Sequence, residues 1–519
     1  MKRKHLPLFS LLLTFCLGWG YLSTLLPGIG YSGDAIKFQY VGKVLGIPHA
    51  PGYPLYLLLN HLFVTLFPLG SLAYKVNLFS ALCAVGACLV LFKILELLGT
   101  GRFIAFVIAL VFGFSRAFWS QSVVAEVYTL HMLLMAAVMY FLLKWHLHRR
   151  DCDFYLATAL YALSFGNHLL SITLLPAFTY LVAVTDKRVF IQPKRVLWVL
   201  AVVTLGAAQY LYLFWRFDNP QTPYIEGFNG HNFVYFVTGG PFKHLMFAFT
   251  PTQIIQERIP LFLSFMRDNI PMLGLALAGA VFPNSKSRAV RTFLLIYFFC
   301  NALYVINYNI PDNEGYFSPN DFILAALAGL TLSRVARWVR PGGGWKKGFL
   351  LLLPVTLYVT NYPLVDQSGN TGQQERTEAV LEALERDAVV ITTNYPAQQA
   401  FLYYLLGEGW REERNLQTTT RGWALNGLQA YLEKDKPLPM FGRTGPKADM
   451  PLYAYPCYDH HFRHKDVTVS WPQQHLPHLC RIEATSKLSE PGAPNSPKLL
   501  NSMALRSQHG NERRTPTDD

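Results

Sequence analysis

A chain of 519 residues that is 52% apolar and only 15% charged, against roughly 25% charged for an average soluble protein, is excluded from the ordinary soluble enzymes. Its repeated apolar segments of about 18–22 residues have the length that crosses a bilayer, and its net charge of +13 reads as basic cytoplasmic loops and anionic-lipid contact rather than nucleic-acid binding. Acidic residues number 13 before residue 364 and 19 in the remaining 156, so an α-helical integral membrane part over residues 1–363 is predicted to precede a water-exposed part.

The chain opens with Lys2, Arg3 and Lys4 before a long apolar stretch without an A-x-A-like cleavage site, which predicts an uncleaved first span with its basic end in the cytoplasm. Further spans are predicted near 75–98, 102–119, 126–145, 153–168, 169–185, 196–216, 268–283, 291–309, 319–337 and 347–363, about eleven with the first. Residues 53–69 are apolar but short and follow Pro-Gly-Tyr-Pro, which predicts a helix lying along or dipping into the outer face. On this map the inner segments hold 20 Lys or Arg and the outer ones before residue 364 about eight, the bias expected of cytoplasmic loops. The protein is therefore predicted to be multi-pass in the plasma membrane. The stretch after the first span, the connection 217–267, "NIPDNEGYFSPND" and the C-terminal part then share the extracytoplasmic side.

Directly after the first span comes "GDAIKFQYVGKVLGIPHAPGYPLY", Gly33 to Tyr56. Ionisable groups near a membrane are costly unless they face a cavity, which makes them site candidates. Asp34 leads. Gly33 before it permits a tight turn, and a carboxylate in a partly dry cavity is expected to have its pKa raised towards the working pH, as suits a general base; an isolated Gly-Asp also reads as a solvated turn. Lys37 and His49 are candidates for stabilising charge on a departing phosphate, or Lys37 snorkels towards water and His49 braces the Pro-rich turn. Tyr53 lies in the same stretch. Glu126 opens a predicted helix beside Tyr128, where it either complements the helix dipole or positions a substrate. Asn167 and His168 fall where two spans meet outside, as site residues or as a tight polar turn. Asp312 and Tyr316, with Glu314 between them, either line an acceptor channel or belong to a solvated loop.

The run from Gly33 to Tyr56 closely resembles, without gaps, the opening signature of the membrane family long labelled domain of unknown function 2723. That family includes a eukaryotic O-mannosyltransferase and is assigned to the GT-C glycosyltransferases. "FWSQSVVAEVYTLHMLL" from Phe118, "SFGNHLLSITLLP" from Ser164, "DNPQTP" at Asp218 and "YNIPDNEGYF" at Tyr308 extend the likeness, and "ERTEAVLEALERDAVVITTNYPAQQAFLYYL" resembles the soluble extension of bacterial members. The resemblance implies a GT-C-type fold, transfer of mannose or another hexose from a polyprenyl-phosphate carrier to a hydroxyl acceptor on a protein, lipid or glycan, and inversion at the anomeric carbon. It raises Asp34 as the base and Glu126 as a site residue. Many members carry a glutamate where this chain has Lys37. The alternative is a polytopic transporter or lipid-binding scaffold, but the internal repeats common in transporters are missing.

No cofactor is required by the sequence, and a divalent metal is left open. Asp151-Cys152-Asp153 falls in a short basic inner loop and reads as a solvated turn; G-x-x-x-x-G-K-[ST], H-E-x-x-H and paired C-x-x-C motifs do not occur. Of the seven cysteines, Cys457 and Cys480 alone fall in the predicted exported part, where oxidation is open to them if their backbones approach closely enough. Residues 364–483 are predicted to form a small extracytoplasmic α/β domain. In it "QQERTEAVLEALERD" is helical, "AVVITT" a buried strand, "PAQQAFLYYLLGEG" helical, and "GWALNGLQAYLEK" and "PLPMFGR" a further helix and strand. Residues 484–519 have the composition of a disordered tail.

Overall fold

The computed structural model describes residues 8–268, 270–281, 288–310, 313–338, 348–410, 417–420, 451–457, 467–470, 476 and 478–484. Each predicted span carries a helix. Among the described residues, five helices are long and apolar enough to cross a membrane: Leu72–Leu97, Tyr128–His148, Leu169–Phe190, Pro193–Phe217 and Arg288–Ile306. The other predicted crossings are shorter or less apolar: Leu8–Ser23, Asp151–Ser164, Ile270–Val281, Ser318–Trp338 and Phe349–Val365. The short segment after Pro-Gly-Tyr-Pro forms the helix Pro54–Leu66.

The stretch predicted as one span at 102–119 is instead two helices, Arg102–Gly113 and Arg116–Ser122, bent by 70°. Ser115 adopts an extended conformation (φ −64°, ψ 140°), which interrupts the backbone ladder. The carbonyls left at the bend find partners on neighbouring segments. Tyr21 Oη donates to the Gly113 carbonyl at 2.9 Å, and Asn361 Nδ2 donates to the Phe114 carbonyl at 2.8 Å. Without such partners an opened helix inside apolar surroundings would be costly.

Small residues decide how closely the helices pack. In Leu72–Leu97, Ala81, Ala84 and Ala87 are buried, and Gly86 lies against Leu133 of Tyr128–His148. At the inner ends predicted from charge, Arg195 is bonded to Asp151 (3.0 and 3.1 Å) and Asp186 (2.8 Å), while Lys144 pairs with Asp153 at 2.9 Å. Asp151 and Asp153 therefore open the helix Asp151–Ser164, where a solvated turn is predicted; acids in a first turn complement the positive end of a helix.

The C-terminal part contains the helices Gly372–Ala383 and Tyr395–Leu402 and five strands: β1 (Val389–Thr392), β2 (Gln417–Thr420), β3 (Leu452–Tyr455), β4 (Val467–Ser470) and β5 (Cys480–Ala484). The sheet order is β2-β1-β3-β5-β4. β1 runs parallel to β2 and β3, and β5 pairs antiparallel with β3 and β4. The uninterrupted apolar run of β1 is buried along its whole length, as befits a strand flanked by parallel neighbours. Cys457 and Cys480 are joined by a disulfide with a Cα–Cα distance of 5.9 Å. The helix and strand predicted within 422–443, and the tail beyond 484, lie outside the described residues.

This α/β part does not hang free of the helices. Ile36, Tyr40, Val76, Phe401 and Tyr404 belong to one apolar cluster. Tyr40 Oη donates to Gln399 Oε1 at 2.8 Å and the Ala73 amide donates to Tyr403 Oη at 3.1 Å. The stretch of residues 24–71 is thus clamped between the bundle and the α/β part, and that clamp holds the site.

Candidate functional site

Ser32 starts the helix Gly33–Val41 by accepting from the Ala35 amide at 3.5 Å, which sets Asp34 in the first turn and Lys37 one turn later on the same face. Their side chains meet: Lys37 Nζ lies 3.0 Å from Asp34 Oδ1. Half of the Asp34 side chain is open, whereas Lys37 is completely buried. A buried ammonium needs compensating charge and acceptors. Besides Asp34, Lys37 Nζ reaches Glu226 Oε2 at 3.1 Å, the Tyr395 hydroxyl and His49 Nδ1.

The second half of the loop delivers His49 and Tyr53. Tyr53 has the left-handed conformation (φ 47°) immediately before the helix Pro54–Leu66, a conformation that costs a non-glycine residue about 1–3 kcal/mol and is found disproportionately at functional sites. Because His49 Nδ1 faces the Lys37 ammonium, the ring accepts there, and Nε2 carries the proton towards Tyr53 Oη at 3.0 Å. The backbone of 45–47 is fixed from the long outer connection: Ile47 N donates to the Tyr224 carbonyl at 2.8 Å, and Glu226 N donates to the Ile47 carbonyl at 2.8 Å. Glu226 is held further by the Tyr224 hydroxyl at 2.8 Å.

Burial alone would raise the Asp34 carboxyl, but the charges of Lys37 and His49 and hydrogen bonds from Lys37 and Tyr395 outweigh it and bring it down to about 2. This corrects the expectation of a raised carboxyl: desolvation is the largest single influence, but the lowering charges and hydrogen bonds together exceed it. Burial and the Lys37 charge lower His49 to about 4, so its ring is neutral at pH 7. Glu226 is likewise lowered, burial being outweighed chiefly by Lys37. Two carboxylates and one ammonium leave this end of the site net negative.

These groups form one end of a cavity of about 420 Å³. Its other walls are aromatic: Tyr128, His168, Tyr316, Tyr308 and Tyr304, with ring centres 5.7 Å apart for Tyr128 and His168, 5.2 Å for His168 and Tyr316, and 5.6 Å for Tyr308 and Tyr316. His168 Nδ1 accepts from the Leu170 amide at 3.0 Å, which leaves Nε2 as a donor. Leu169 lines both this cavity and a second, apolar one of about 750 Å³. The second runs between Asp151–Ser164, Leu175–Asp186 and Pro193–Ala208, with Phe154, Phe178, Val199 and Leu200 in its walls.

Of the residues predicted from sequence, Asp34, Lys37, His49, Tyr53, Tyr128, His168 and Tyr316 line the one cavity. Lys37 neither snorkels nor points at open space, because its donors are engaged by neighbouring side chains. Glu126 and Asn167 are buried outside the cavity lining. The Glu126 backbone is bonded to Ser80, and Asn167 Nδ2 donates to the Val127 carbonyl at 3.2 Å, so both brace the turn that delivers Tyr128. Asp312 lies outside the described residues. Glu226 and Tyr395 are site residues that the sequence reading missed; the signal for Glu226 was that it is one of the acids gathered on the outer side. Among the described residues no group of three or more His, Cys, Asp or Glu side chains is arranged to hold a metal ion.

Residues 34–190 match the family described as Protein O-mannosyl-transferase TMEM260 N-terminal domain. The chain is 44% identical over 117 residues to Protein O-mannosyl-transferase TMEM260 of Mus musculus, covering 22% of this chain and 16% of the relative. It is 22% identical over 445 residues to Protein O-mannosyl-transferase tmem260 of Dictyostelium discoideum, covering 72% and 53%. The matched regions thus span about half or less of these curated relatives. Among solved structures, ArnT from Cupriavidus metallidurans in the apo state has a TM-score of 0.59 at 12% identity, with 93% of this chain and 99% of that chain covered. ArnT bound to undecaprenyl phosphate gives 0.57 at 11% identity, with 94% and 100% covered. At such identity the likeness is one of fold. Residues 34–190 are accordingly similar to the TMEM260 N-terminal domain family, and nearly the whole chain shares the fold of the two ArnT structures.

Proposed function

We propose that the chain is a membrane glycosyltransferase that moves a hexose from a polyprenyl-phosphate carrier to a hydroxyl on the extracytoplasmic face, inverting the anomeric carbon. The name of the TMEM260 relatives favours mannose and a protein serine or threonine. The observation that carries this reading is the cavity with an ionised, half-open Asp34 and aromatic walls, beside an apolar chamber that shares Leu169 with it. ArnT, of the same fold, has been seen with undecaprenyl phosphate.

The acceptor oxygen attacks the anomeric carbon, the bond from that carbon to the phosphate oxygen breaks, the hydroxyl proton passes to the Asp34 carboxylate, and the carrier departs as the lipid phosphate. A carboxylate held near pKa 2 is a poor base towards a resting alcohol. It serves here because the hydroxyl becomes strongly acidic only as its oxygen bonds to carbon. Tyr128, Tyr308 and Tyr316 offer flat faces to a sugar ring, and the His168 Nε2–H a donor to hydroxyl or phosphate oxygen. Lys37 holds Asp34 and Glu226 in place. A phosphate placed beside the two carboxylates still meets net negative charge, which the lysine between them reduces. In this reading the N-terminus is cytoplasmic and residues 364–483 are extracytoplasmic in the plasma membrane.

Membranes supplied with labelled polyprenyl-phosphate hexose test it. Transfer is expected in the wild type and is abolished in Asp34→Asn with insertion unchanged. Equal transfer by the variant removes Asp34 from the chemistry, and uptake of substrate without transfer favours a transporter.

A further inference from the structure

The hydroxyl nearest Asp34 comes from the far part of the chain. Tyr395 is the first residue of the helix Tyr395–Leu402, 361 positions after Asp34, and its hydroxyl donates to Asp34 Oδ1 at 3.0 Å. The same hydroxyl accepts from Lys37 Nζ, so its single proton is committed to the carboxylate. Its ring lies with its centre 5.2 Å from the ammonium. Lys37 and Tyr395 both reach Oδ1 of Asp34, which leaves Oδ2 as the oxygen available to an incoming hydroxyl.

Two local devices keep the phenol there. Asn394 caps its helix by accepting from the Ala397 amide at 2.9 Å, directly after the buried strand β1, so Tyr395 rides on a rigid element that is itself packed on the helix Gly33–Val41. Opposite the ring stands Gly33: a Cβ at that position would lie 2.3 Å from Tyr395 Cδ1 and 2.6 Å from Cε1. The glycine before Asp34 is thus required for close approach of a ring, not for the tight turn expected from sequence, since position 33 is helical.

We infer that Tyr395 is a positioning residue of the transfer site: the α/β part of the chain supplies the hydroxyl that fixes which oxygen of Asp34 faces the acceptor, and the site is complete only with that part docked. This rests on the transferase reading above. Pre-organisation of this kind acts on the reacting geometry more than on binding of the donor.

Tyr395→Phe keeps the ring against Gly33 and removes only the hydroxyl. Its kcat is expected to fall about tenfold or more, with the donor KM within about twofold. Arg376→Ala, which removes an exposed contact from the same docked part to Tyr31 (2.7 Å), neither residue lining the cavity, is expected to keep the wild-type kcat. A second reading does not need turnover. A protonated carboxyl gives its proton to a carbodiimide nitrogen and adds its oxygen to the central carbon, so Asp34, having lost a donor, is expected to be labelled several-fold faster in the full-length Tyr395→Phe protein than in wild type or Arg376→Ala, as followed by mass spectrometry. Wild-type kcat in Tyr395→Phe, or an equal loss in Arg376→Ala, overturns the inference. Identical Asp34 labelling in all three proteins also overturns it. Absence of any hexose transfer by the wild type counts against the transferase reading alone, and labelling still decides the role of Tyr395.

Discussion

Lys37 Nζ and Glu226 Oε2 stand 3.1 Å apart across 189 positions of sequence. This ion pair joins the loop after the first helix to the long connection that follows the helix Leu211–Phe217. It explains how a lysine is accommodated one turn from Asp34 with no access to water: the charge a carboxylate would otherwise meet at depth is balanced from a different segment.

Breaking the pair from its two sides should have unequal effects. Lys37→Met leaves two carboxylates facing each other and is expected to lower stability by about 3–5 kcal/mol, the range for an orphaned member of a buried pair. Glu226→Gln leaves Lys37 with Asp34 and is expected to cost less. Adding Glu226→Gln to Lys37→Met should then recover part of the loss, a coupling of roughly 1–3 kcal/mol. Denaturation in detergent of the four proteins measures it; strictly additive losses would show that the pair is not coupled.

His49 and Asp34 should each withdraw stability below neutral pH, in different windows. His49 is lowered from 6.5 to about 4, so between those values the unfolded chain takes up a proton that the folded one refuses, and stability falls as pH falls from about 6.5 to 4. Asp34 is lowered from 3.8 to about 2. Its contribution is fully present above its unfolded value and is lost only as pH falls from there through about 2. The fall in thermal midpoint from pH 7.5 to 4 should therefore be smaller in His49→Gln, where His168, itself lowered to about 3 by burial, sustains part of it, and unchanged in Asp34→Asn. An unchanged slope in His49→Gln contradicts the burial of a neutral ring.

The sidedness drawn from charge predicts a labelling pattern. Cys152 is a free, exposed thiol, whereas Cys457 and Cys480 are bridged. In intact cells an impermeant maleimide should leave Cys152 unmodified until the membrane is opened. It should reach Cys457 and Cys480 from outside only after reduction. Labelling of Cys152 in intact cells would reverse the map.

The parts of the site legible in the sequence are those whose position is set locally or by sidedness. Asp34, Lys37, His49 and Tyr53 share one short loop, and Tyr128, His168 and Tyr316 lie at segment ends on one predicted face. Glu226 and Tyr395 were not legible for a common reason. A lone acid in a polar loop and a tyrosine opening a helix acquire meaning only from the partner that folding brings, and several outer acids satisfy the charge requirement of Lys37 equally well on paper. The direction of the Asp34 shift was misjudged because desolvation can be guessed from apolar surroundings, whereas the nearby ammonium had been assigned to a ligand. The bend at Ser115 is lost in hydropathy averaged over a span, since the apolar runs on either side of Ser115-Arg116 merge in one window, and the groups that satisfy its open carbonyls, Tyr21 and Asn361, are distant in sequence.

The clamp between the helical bundle and the α/β part has a consequence for biosynthesis. Asp34 and Lys37 precede Glu226 and Tyr395 along the chain, so a ribosome releases the acid well before the groups that orient it. Only when the last folded portion settles onto the first loop does the pocket acquire its final wall. The surroundings of Asp34 are therefore completed only after residue 395 has been made.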